Sequence, residues 1–446
     1  MMNPIKIDSR QTREGIRIVS GGREYNLRYP GNFWKEYHDR KFLHENLTSI
    51  LTISSPVVAR KRSVVYNTSK PIFFSQYHDI VEKGIPSSNE DYRLPTKKAI
   101  DAFRKIDYDF SDGESENPDF SDKLDMRAVV SLSFGKDSLL TLAVGKEIGL
   151  DPVGVYVNDT VSPQENMNKR MLMKKVERAL SVKTFELTNE IEKLNDFETW
   201  KTPESCIGYN HMVTGFCLLN LPVAAKMRAR YLLIGSQRDL DDYFVSEEGF
   251  KIFSSYDQTF ECQEKQDGMI KKMTDGQARV TSIIRPVTSL AIIKMLHSRY
   301  GKCGRLQRSC DCLDGSKEKA WCHACNKCAR LSLFMRAFGI DTDMVGFHRS
   351  MLNKGDMKYY ALFKGKKIDC DDKNSHARDQ QLLAFYLAYK RGAKGYLINQ
   401  FRREFYDEAV EREDELMKEF LTAHKCDLPK EINSDVMSIY KEELSK

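Results

Sequence analysis

Long apolar runs are missing from this 446-residue sequence, and no stretch approaches the roughly 20 residues that a membrane-spanning helix needs. The first residues, MMNPIKIDSR, contain no apolar segment of a secretory signal. A large excess of one charge sign is also missing, because the net charge is only +6. These absences predict a cytoplasmic globular protein without a membrane partner. So small a positive charge is compatible with a nucleic-acid partner but gives no argument for one.

Cysteine is sparse except in one segment, Cys303–Cys328, which holds six of the eleven cysteines of the chain. A disulfide framework would suit a small secreted protein, whereas this uneven distribution favours a metal site in a reducing compartment. The length allows two or three domains, and 41% hydrophobic residues are typical of an ordinary globular chain.

Three of these cysteines, Cys322, Cys325 and Cys328, follow one another in C-x2-C-x2-C spacing. Each gap is short enough for neighbouring thiolates to reach one ion, and Cys310 or Cys312 lies at a distance suited to a fourth ligand. Four thiolates predict tetrahedral Zn²⁺ in a closed structural site. An iron–sulfur cluster is the alternative, since the same spacing also holds clusters.

The most informative stretch of the chain is Met126–Gly149. Its first part, Arg127–Ser133, is apolar and β-branched, which predicts a buried strand. Its second part, Ser138–Ile148, has apolar residues at helical spacing and is followed by Gly149, a residue typical of helix ends. The chain between them therefore makes a tight turn from a strand into a helix.

This turn has the composition of an anion site. Unpaired N–H groups and the dipole at a helix start favour a phosphate, and Gly135 allows close approach of the backbone. Ser133 and Ser138 add hydroxyl groups, Lys136 adds a positive charge, and Asp137 suits a role in orienting donors or holding Mg²⁺. The predicted nucleotide-binding residues of the turn are Ser131, Leu132, Ser133, Phe134, Gly135, Lys136, Asp137 and Ser138.

The hexapeptide Ser133–Ser138, SFGKDS, resembles the PP-loop of the N-type ATP pyrophosphatases, which reads S-G-G-x-D-S. Phe134 stands where that family usually has its first glycine. The resemblance implies that ATP is split to AMP and pyrophosphate, that the loop holds the pyrophosphate, and that Mg²⁺ takes part. The Walker P-loop pattern does not fit, because Asp137 replaces its Ser or Thr and the upstream glycine is missing.

Strand and helix patterns alternate after Met126, which predicts a parallel sheet with helices on both faces. The resemblance implies that this α/β fold is Rossmann-like, of the HUP type. The predicted strands are Pro152–Asn158, Lys183–Leu187 and Tyr231–Ile234, and the predicted helices are Asn166–Leu180 and Phe216–Met227.

Ligands of such sheets bind beyond the carboxyl ends of the strands. Asn158 and Asp159 follow one strand, where they either bind a ribose or adenine or simply form a polar strand exit. Residues 238–256 are polar and predict a substrate-binding lid. Lys136 and Asp137, together with Arg238 of this stretch and Arg285 of the later segment IIRPV, are the predicted catalytic residues.

Composition divides the chain into four regions. Residues 1–110 form a strand-containing unit in which Ile50–Tyr66 is one of the predicted strand regions, and the acidic residues 111–125 form a linker. Residues 126–345 form the PP-loop domain. Residues 346–446 are helical and charged, which is typical of a solvated cap but also suits a surface for RNA, for a protein partner or for a second copy.

The combination of a PP-loop with a downstream cysteine segment resembles the 7-cyano-7-deazaguanine synthases. That family adenylates the carboxylate of a 7-deazapurine with ATP, lets ammonia displace AMP, and dehydrates the amide with a second ATP. The chain also resembles the UDP-muramoyl-dipeptide glutamate epimerases, in Ser255–Thr259 and in the stretch from Ser282–Pro286 on to Ser309 and Cys310. Both families adenylate a carboxylate, so the resemblance implies a small carboxylate as substrate.

Two other functions remain open from the sequence. A sulfur-transfer or tRNA-modifying PP-loop enzyme would need a thiolate near the loop. A nucleotide-binding scaffold without catalysis is the other, because Phe134 replaces a loop glycine; it would bind nucleotide without releasing pyrophosphate.

Overall fold

The computed structural model of the chain describes residues 3–309 and 321–446. Ten of its strands form one mixed sheet, and β10 pairs with β11 in a separate hairpin. The strands are β1 (Ile5–Gln11), β2 (Gly15–Ser20), β3 (Arg23–Arg28), β4 (Ser63–Tyr66), β5 (Asp107–Phe110), β6 (Asp125–Ser131), β7 (Val153–Asn158), β8 (Lys183–Asn189), β9 (Ala229–Leu233), β10 (Tyr243–Val245), β11 (Lys251–Phe253) and β12 (Arg279–Thr281).

Helices cover both faces of this sheet. No helix in the described ranges has the length and apolar character needed to cross a membrane. The helices are α1 (Phe33–Glu36), α2 (Arg40–Ile50), α3 (Ser55–Val58), α4 (Phe74–Tyr92), α5 (Thr96–Arg104), α6 (Lys136–Glu147), α7 (Pro163–Leu180), α8 (Phe197–Trp200), α9 (Met212–Leu219), α10 (Leu221–Met227), α11 (Phe260–Met273), α12 (Ser289–Ser298), α13 (Gly301–Gly304), α14 (Asn326–Ala337), α15 (Ser375–Lys390), α16 (Tyr396–Glu404), α17 (Tyr406–Glu411), α18 (Glu413–Phe420) and α19 (Lys430–Leu444).

Five neighbouring strands, in the order β12-β9-β6-β7-β8, run parallel to one another. This confirms the parallel sheet predicted after Met126. The chain leaves β6 towards β7 and β8 on one side and later returns to β9 and β12 on the other. The order therefore reverses between β6 and β9, and the residues that follow β6 lie at this reversal, where parallel sheets bind ligands.

The sheet continues into the first part of the chain. β3 pairs antiparallel with β8, β2 and β1 follow in antiparallel pairs, and β4 and β5 extend the sheet in parallel beyond β1. The sheet thus runs across the regions 1–110 and 126–345, while the domain boundaries drawn from composition stay predictions.

The side chains of β6 alternate between two apolar layers. Ala128 and Val130 pack in a layer with the C-terminal helices, whereas Val129 packs in a layer with the N-terminal strands and helices. This alternation follows from the two-residue period of a strand. Both terminal regions therefore bury one face each of the strand that leads into the SFGKDS turn.

Two predicted elements are wrong in detail. Ile50–Tyr66 is a strand only over Ser63–Tyr66, because Ser55–Val58 forms a helical turn with Pro56 in its first turn, where proline is tolerated. The single helix predicted over Phe216–Met227 is two helices that meet at Asn220, since Pro222 starts the second one.

The polar stretch 238–256, for which the sequence predicts a substrate-binding lid, has secondary structure of its own. It contains the hairpin β10–β11, whose turn includes Gly249 at φ +83°. The Glu248 carboxylate accepts hydrogen bonds from the backbone N–H groups of Thr96 (2.8 Å) and Lys97 (3.1 Å), at the start of α5. The hairpin is therefore tied to the N-terminal helices.

A buried histidine makes the stability of the N-terminal layer depend on pH. Burial lowers the pKa of His44 to about 4, and its Nε2 lies 2.8 Å from Ser9 Oγ. The unfolded chain binds this proton near pH 6.5, so His44 contributes stability that is present above pH 6.5 and is lost as the pH falls towards 4. We expect a loss of about 3 kcal/mol from this group, measured by urea unfolding across this pH range.

His44→Gln should flatten this part of the pH profile, because glutamine does not titrate. His38→Gln is the matched control, since the His38 side chain is 55% exposed. Equal pH profiles for wild type and His44→Gln would contradict the prediction.

Candidate functional site

The SFGKDS turn joins β6 to α6 at the carboxyl edge of the parallel strands. β6 ends at Ser131, Gly135 is the N-cap residue and α6 begins at Lys136. This confirms the predicted strand, turn and helix. The first N–H groups of α6 and the positive end of its dipole therefore face the edge where ligands of parallel sheets bind.

Phe134 gives the turn its shape. Its backbone has φ +63°, in the left-handed region that favours glycine, and its side chain is fully buried. The ring packs edge-on against Tyr156 with centroids 5.9 Å apart, and the carbonyl oxygen accepts a hydrogen bond from the N–H of Arg308 (2.8 Å). A glycine, usual at this position in the PP-loop family, would adopt the same backbone without strain. The phenyl ring instead stabilises the turn by burial.

Hydroxyl groups surround the N–H groups of the turn. Ser138 Oγ accepts from the Ser133 N–H (3.2 Å) and lies 3.2 Å from Ser133 Oγ. The N–H of Gly135 donates to Ser133 Oγ (3.4 Å), and that of Lys136 donates to Ser309 Oγ (3.2 Å). The structure thus brings the predicted serines together with their loop and adds a further one, Ser309.

The Lys136 ammonium group is buried beside two partners. Its Nζ lies 2.7 and 2.8 Å from the two carboxylate oxygens of Asp137 and 2.9 Å from Gln237 Oε1. The Lys136 side chain is only 7% exposed, whereas that of Asp137 is 30% exposed. A buried cation needs such partners, so Asp137 both neutralises Lys136 and keeps an oxygen surface towards solvent.

Gly235 is required where the chain after β9 passes close to the start of α6. A Cβ atom on this residue would lie 3.2 Å from Asp137 Cβ and 3.4 Å from the backbone nitrogen of Ser138. Only glycine lets the chain after β9 pass the start of α6 at this distance without displacing it. Gln237, which holds Lys136, follows two residues later.

The remaining predicted nucleotide-binding residues have local partners. Ser131 Oγ accepts from Asn220 Nδ2 (3.0 Å), and Leu132 is buried in the core. Asn158 Nδ2 donates to Glu186 Oε1 (2.9 Å), and Asp159 Oδ1 accepts from the N–H of Val161 (3.0 Å) near the start of α7. Asn158 and Asp159 stand at the carboxyl end of β7, next to β6, so their binding of a ribose or adenine stays a prediction beside the alternative of a polar strand exit.

The two predicted catalytic arginines pair with carboxylates outside the turn. Arg238 Nη2 lies 3.2 Å from Glu419 Oε1, on α18. Arg285 is buried, lies 3.0 Å from a carboxylate oxygen of Asp241, and has its guanidinium 5.0 Å from the centre of the Phe260 ring. Burial lowers the pKa of Arg285, with the Asp241 carboxylate opposing the shift.

A partly buried carboxylate, that of Asp239, follows Gln237 two residues later in the chain. Burial raises the pKa of Asp239, while hydrogen bonds from the N–H of Ser289 (2.7 Å) and from Gln380 Nε2 (3.2 Å) oppose the shift. Gln237, Asp239 and Ser289 line a polar cavity of about 40 Å³, which is large enough for a water molecule.

The three described cysteines of the predicted metal site converge. Cys322 Sγ lies 3.4 Å from Cys325 Sγ and 3.6 Å from Cys328 Sγ, and all three sulfurs lie within 4.8 Å of one another. Tetrahedral Zn²⁺ with bonds of about 2.3 Å separates its sulfurs by about 3.8 Å, so the spacing fits a metal. The other predicted ligands, Cys310 and Cys312, lie outside the described residues.

The local backbone favours thiolates at this cluster. The N–H of Ala324 donates to Cys322 Sγ, and that of Cys328 donates to Cys325 Sγ, both at 3.4 Å. Cys325 is the N-cap residue of α14, whose dipole stabilises negative charge there. The cluster therefore has the donor chemistry to hold a metal such as zinc.

A larger cavity, about 660 Å³, lies beside Cys325, where the end of α4 meets residues 359–373. Its volume is within the range of small-molecule sites. Desolvation, followed by the nearby Asp91 carboxylate, raises the pKa of Asp369 on its wall to about 6. The basic residues that line it are Arg93, Lys366, Lys367 and Lys373.

Comparison with known proteins adds no family assignment. The chain matches no family model, and no curated protein is significantly similar to it. The chemistry of the site is therefore argued from its residues and their geometry.

Sequence reasoning did not predict that Ser309 and Gln237 contact Lys136. Ser309 meets Lys136 across 173 positions of the chain, and Gln237 meets it across 101 positions. No local pattern signals such contacts, although the carboxyl end of β9 indicates the region of Gln237.

Replacement of Phe134 tests its role as an anchor of the turn. Phe134→Gly should destabilise the protein by about 2–4 kcal/mol, because removing a buried ring costs about 3–5 kcal/mol and relief of the left-handed backbone returns about 1 kcal/mol. Lys201→Gly is the control: Lys201 also has φ +54° but is exposed, so the variant should gain about 1 kcal/mol. Urea unfolding measures both, and a Phe134→Gly variant as stable as wild type would contradict the anchoring role.

Metal analysis tests the cysteine cluster. Purified protein dialysed against buffer without metal should retain about one Zn²⁺ per chain. Cys322→Ser should lose most of this metal, whereas Cys426→Ser, outside the cluster, should keep it. Wild-type protein that folds normally without bound metal would contradict the assignment.

Proposed function

We propose that this chain is an ATP-dependent enzyme of the PP-loop type that adenylates a substrate carboxylate for attack by a nitrogen nucleophile. The observation that carries the proposal is the SFGKDS turn between β6 and α6, at the point where the order of the parallel strands reverses. The parallel strands β6, β7, β8, β9 and β12 are the first to the fifth of this set along the chain, and in the sheet they lie in the order 3-2-1-4-5. This order supports a Rossmann-like fold of the HUP type.

In this reaction a carboxylate oxygen attacks the α-phosphorus of ATP, and the bond between that phosphorus and the oxygen that bridges the α- and β-phosphates breaks. The pyrophosphate that leaves carries the developing charge. In this proposal the hydroxyls of Ser133 and Ser138 would donate to its oxygens, at a helix start whose dipole favours negative charge. The N–H groups of Gly135 and Lys136 hold Ser133 Oγ and Ser309 Oγ at the same place. The nitrogen nucleophile then attacks the acyl carbon, and AMP leaves.

Asp137 has two roles in this proposal. Its carboxylate neutralises and orients the Lys136 ammonium, and its exposed oxygen surface suits a ligand of Mg²⁺. Bound Mg²⁺ would neutralise phosphate charge. At the cysteine cluster, Zn²⁺ would hold Cys322, Cys325 and Cys328 together and serve a structural role.

A small carboxylate is the proposed substrate class, with 7-carboxy-7-deazaguanine or a related 7-deazapurine first. The likeness of the SFGKDS turn and of the downstream cysteine segment to the 7-cyano-7-deazaguanine synthases supports this order. A peptide carboxylate, as in the epimerase-like branch, is the alternative that the same chemistry allows.

Product analysis decides this function. The protein is incubated with ATP, Mg²⁺, ammonium and a panel of carboxylates, and AMP is separated from ADP. We expect AMP and pyrophosphate with 7-carboxy-7-deazaguanine, and a fall of about 100-fold or more in Asp137→Ala because the loop loses its carboxylate. Asp101→Ala, an exposed aspartate on α5, is the control for folding and activity.

Release of AMP with another carboxylate would support the adenylating reaction and identify a different substrate. ADP, or nucleotide binding without cleavage, would overturn the adenylating function. Full activity in Asp137→Ala would overturn the proposed site.

A further inference from the structure

The segment Gln307–Ser309 lies against the SFGKDS turn. The N–H of Arg308 donates to the Phe134 carbonyl oxygen (2.8 Å), one residue before Gly135. Next to this bond, Ser309 Oγ accepts from the N–H of Lys136 (3.2 Å). We call this segment the strap. It places a hydroxyl group at the first N–H of α6, where an anion bound by the turn would lie.

The Ser309 hydroxyl is held with its proton available. Its Oγ also accepts from Gln307 Nε2 (3.0 Å), and the buried Gln307 is fixed in turn by His297 Nε2, 3.0 Å from Gln307 Oε1. A serine hydroxyl has one proton to donate, and among the described residues no hydrogen-bond acceptor for it is seen. A Cβ on Gly135 would lie 3.7 Å from Ser309 Oγ, so the hydroxyl borders the glycine side of the turn.

The strap is joined to the cysteine cluster by one carbonyl group. Arg308 Nη1 donates to the Val345 carbonyl oxygen at 3.2 Å, and Trp321 Nε1 donates to the same oxygen at 2.7 Å. Trp321 is fully buried, stacks on Phe347 with ring centroids 4.1 Å apart, and directly precedes Cys322. The cysteine cluster and the strap thus share a single rigid acceptor.

We propose that Ser309 is a phosphate-binding residue of the turn, and that the cysteine cluster fixes its position through Trp321, the Val345 carbonyl and Arg308. The inference rests on the proposed function in one respect, which is that the bound anion is the pyrophosphate part of ATP. The Ser309 hydroxyl donates its proton to a phosphate oxygen, while its Oγ still accepts from the Lys136 N–H and from Gln307 Nε2. Trp321 is a positioning residue, because it acts on Ser309 through Val345 and Arg308.

This arrangement predicts a specific kinetic effect. A hydrogen bond to pyrophosphate oxygens is made to bound ATP and strengthens as charge develops on the leaving pyrophosphate, so its loss raises KM for ATP and also lowers kcat. Disruption of the cysteine cluster should act in the same direction, because it loosens the strap.

Pyrophosphate binding, measured by calorimetry on the full chain, tests Ser309. Ser309→Ala should bind inorganic pyrophosphate about 10-fold or more weakly, since a hydrogen bond to a charged group is lost. Ser309→Thr should restore binding because it restores the hydroxyl. Ser111→Ala is the matched control, because the Ser111 hydroxyl donates to the Tyr66 carbonyl oxygen (2.9 Å) next to β5, an edge strand of the sheet that does not adjoin β6.

The outcomes separate this inference from the proposed function. Equal affinity of Ser309→Ala and wild type overturns the inference, and AMP release by wild type would then leave the function standing. Weaker binding of pyrophosphate by Ser309→Ala supports the inference even if wild type releases no AMP. The missing AMP would then overturn only the proposed enzyme activity. Absence of pyrophosphate binding by wild type overturns the inference.

Trp321→Phe tests the link to the cysteine cluster. Phenylalanine can keep the stack on Phe347 but loses the N–H that donates to Val345, so pyrophosphate should bind about 3- to 10-fold more weakly. Trp200→Phe is the matched control, because Trp200 Nε1 donates to the Leu194 carbonyl oxygen at 2.8 Å. Metal content is measured on the same samples. Wild-type affinity in a folded Trp321→Phe variant overturns the link.

Discussion

The parallel strand β6 has to be buried on both faces, and this constraint organises the whole chain. Ala128 and Val130 face one apolar layer and Val129 faces the other. The N-terminal strands and helices supply one layer, and the helices after residue 326 contribute to the other. A parallel sheet exposed on either face would leave such side chains in water. The terminal regions are thus part of what positions the SFGKDS turn.

Charge burial is the second constraint at the site. The Lys136 ammonium is held by Asp137 and Gln237, Arg285 is held by Asp241, and Asp239 is held by backbone and amide donors. Each of these three charged groups therefore has its partner within the protein. A phosphate that reaches the turn meets a cation whose orientation is already defined.

Local signals explain what the sequence could predict. The pattern of residues from Arg127 to Glu147 predicts a strand, a turn and a helix within 21 residues. The spacing of Cys322, Cys325 and Cys328 is likewise a local signal. The β-branched residues of Ile50–Tyr66 misled the prediction, because tertiary burial and Pro56 favour helical turns there.

Contacts between distant segments could not be predicted. Ser309 and Gln237 reach Lys136 only because the strap and the end of β9 converge on the start of α6. The partners of Arg238 and Arg285 likewise come from packing: Glu419 belongs to the C-terminal helices, and Asp241 belongs to the chain after β9. Side-chain chemistry indicated the class of site, and topology decided which groups meet.

The buried ring of Phe134 has a consequence for the thermodynamics of ligand binding. A glycine-rich loop is mobile until its ligand arrives, so ordering its backbone opposes binding. Here the ring and the Arg308 hydrogen bond order the turn during folding, before any ligand is present. The entropy of ordering the turn is therefore part of the folding free energy of this protein, and in the proposed function the ligand would bind to a turn that is already ordered.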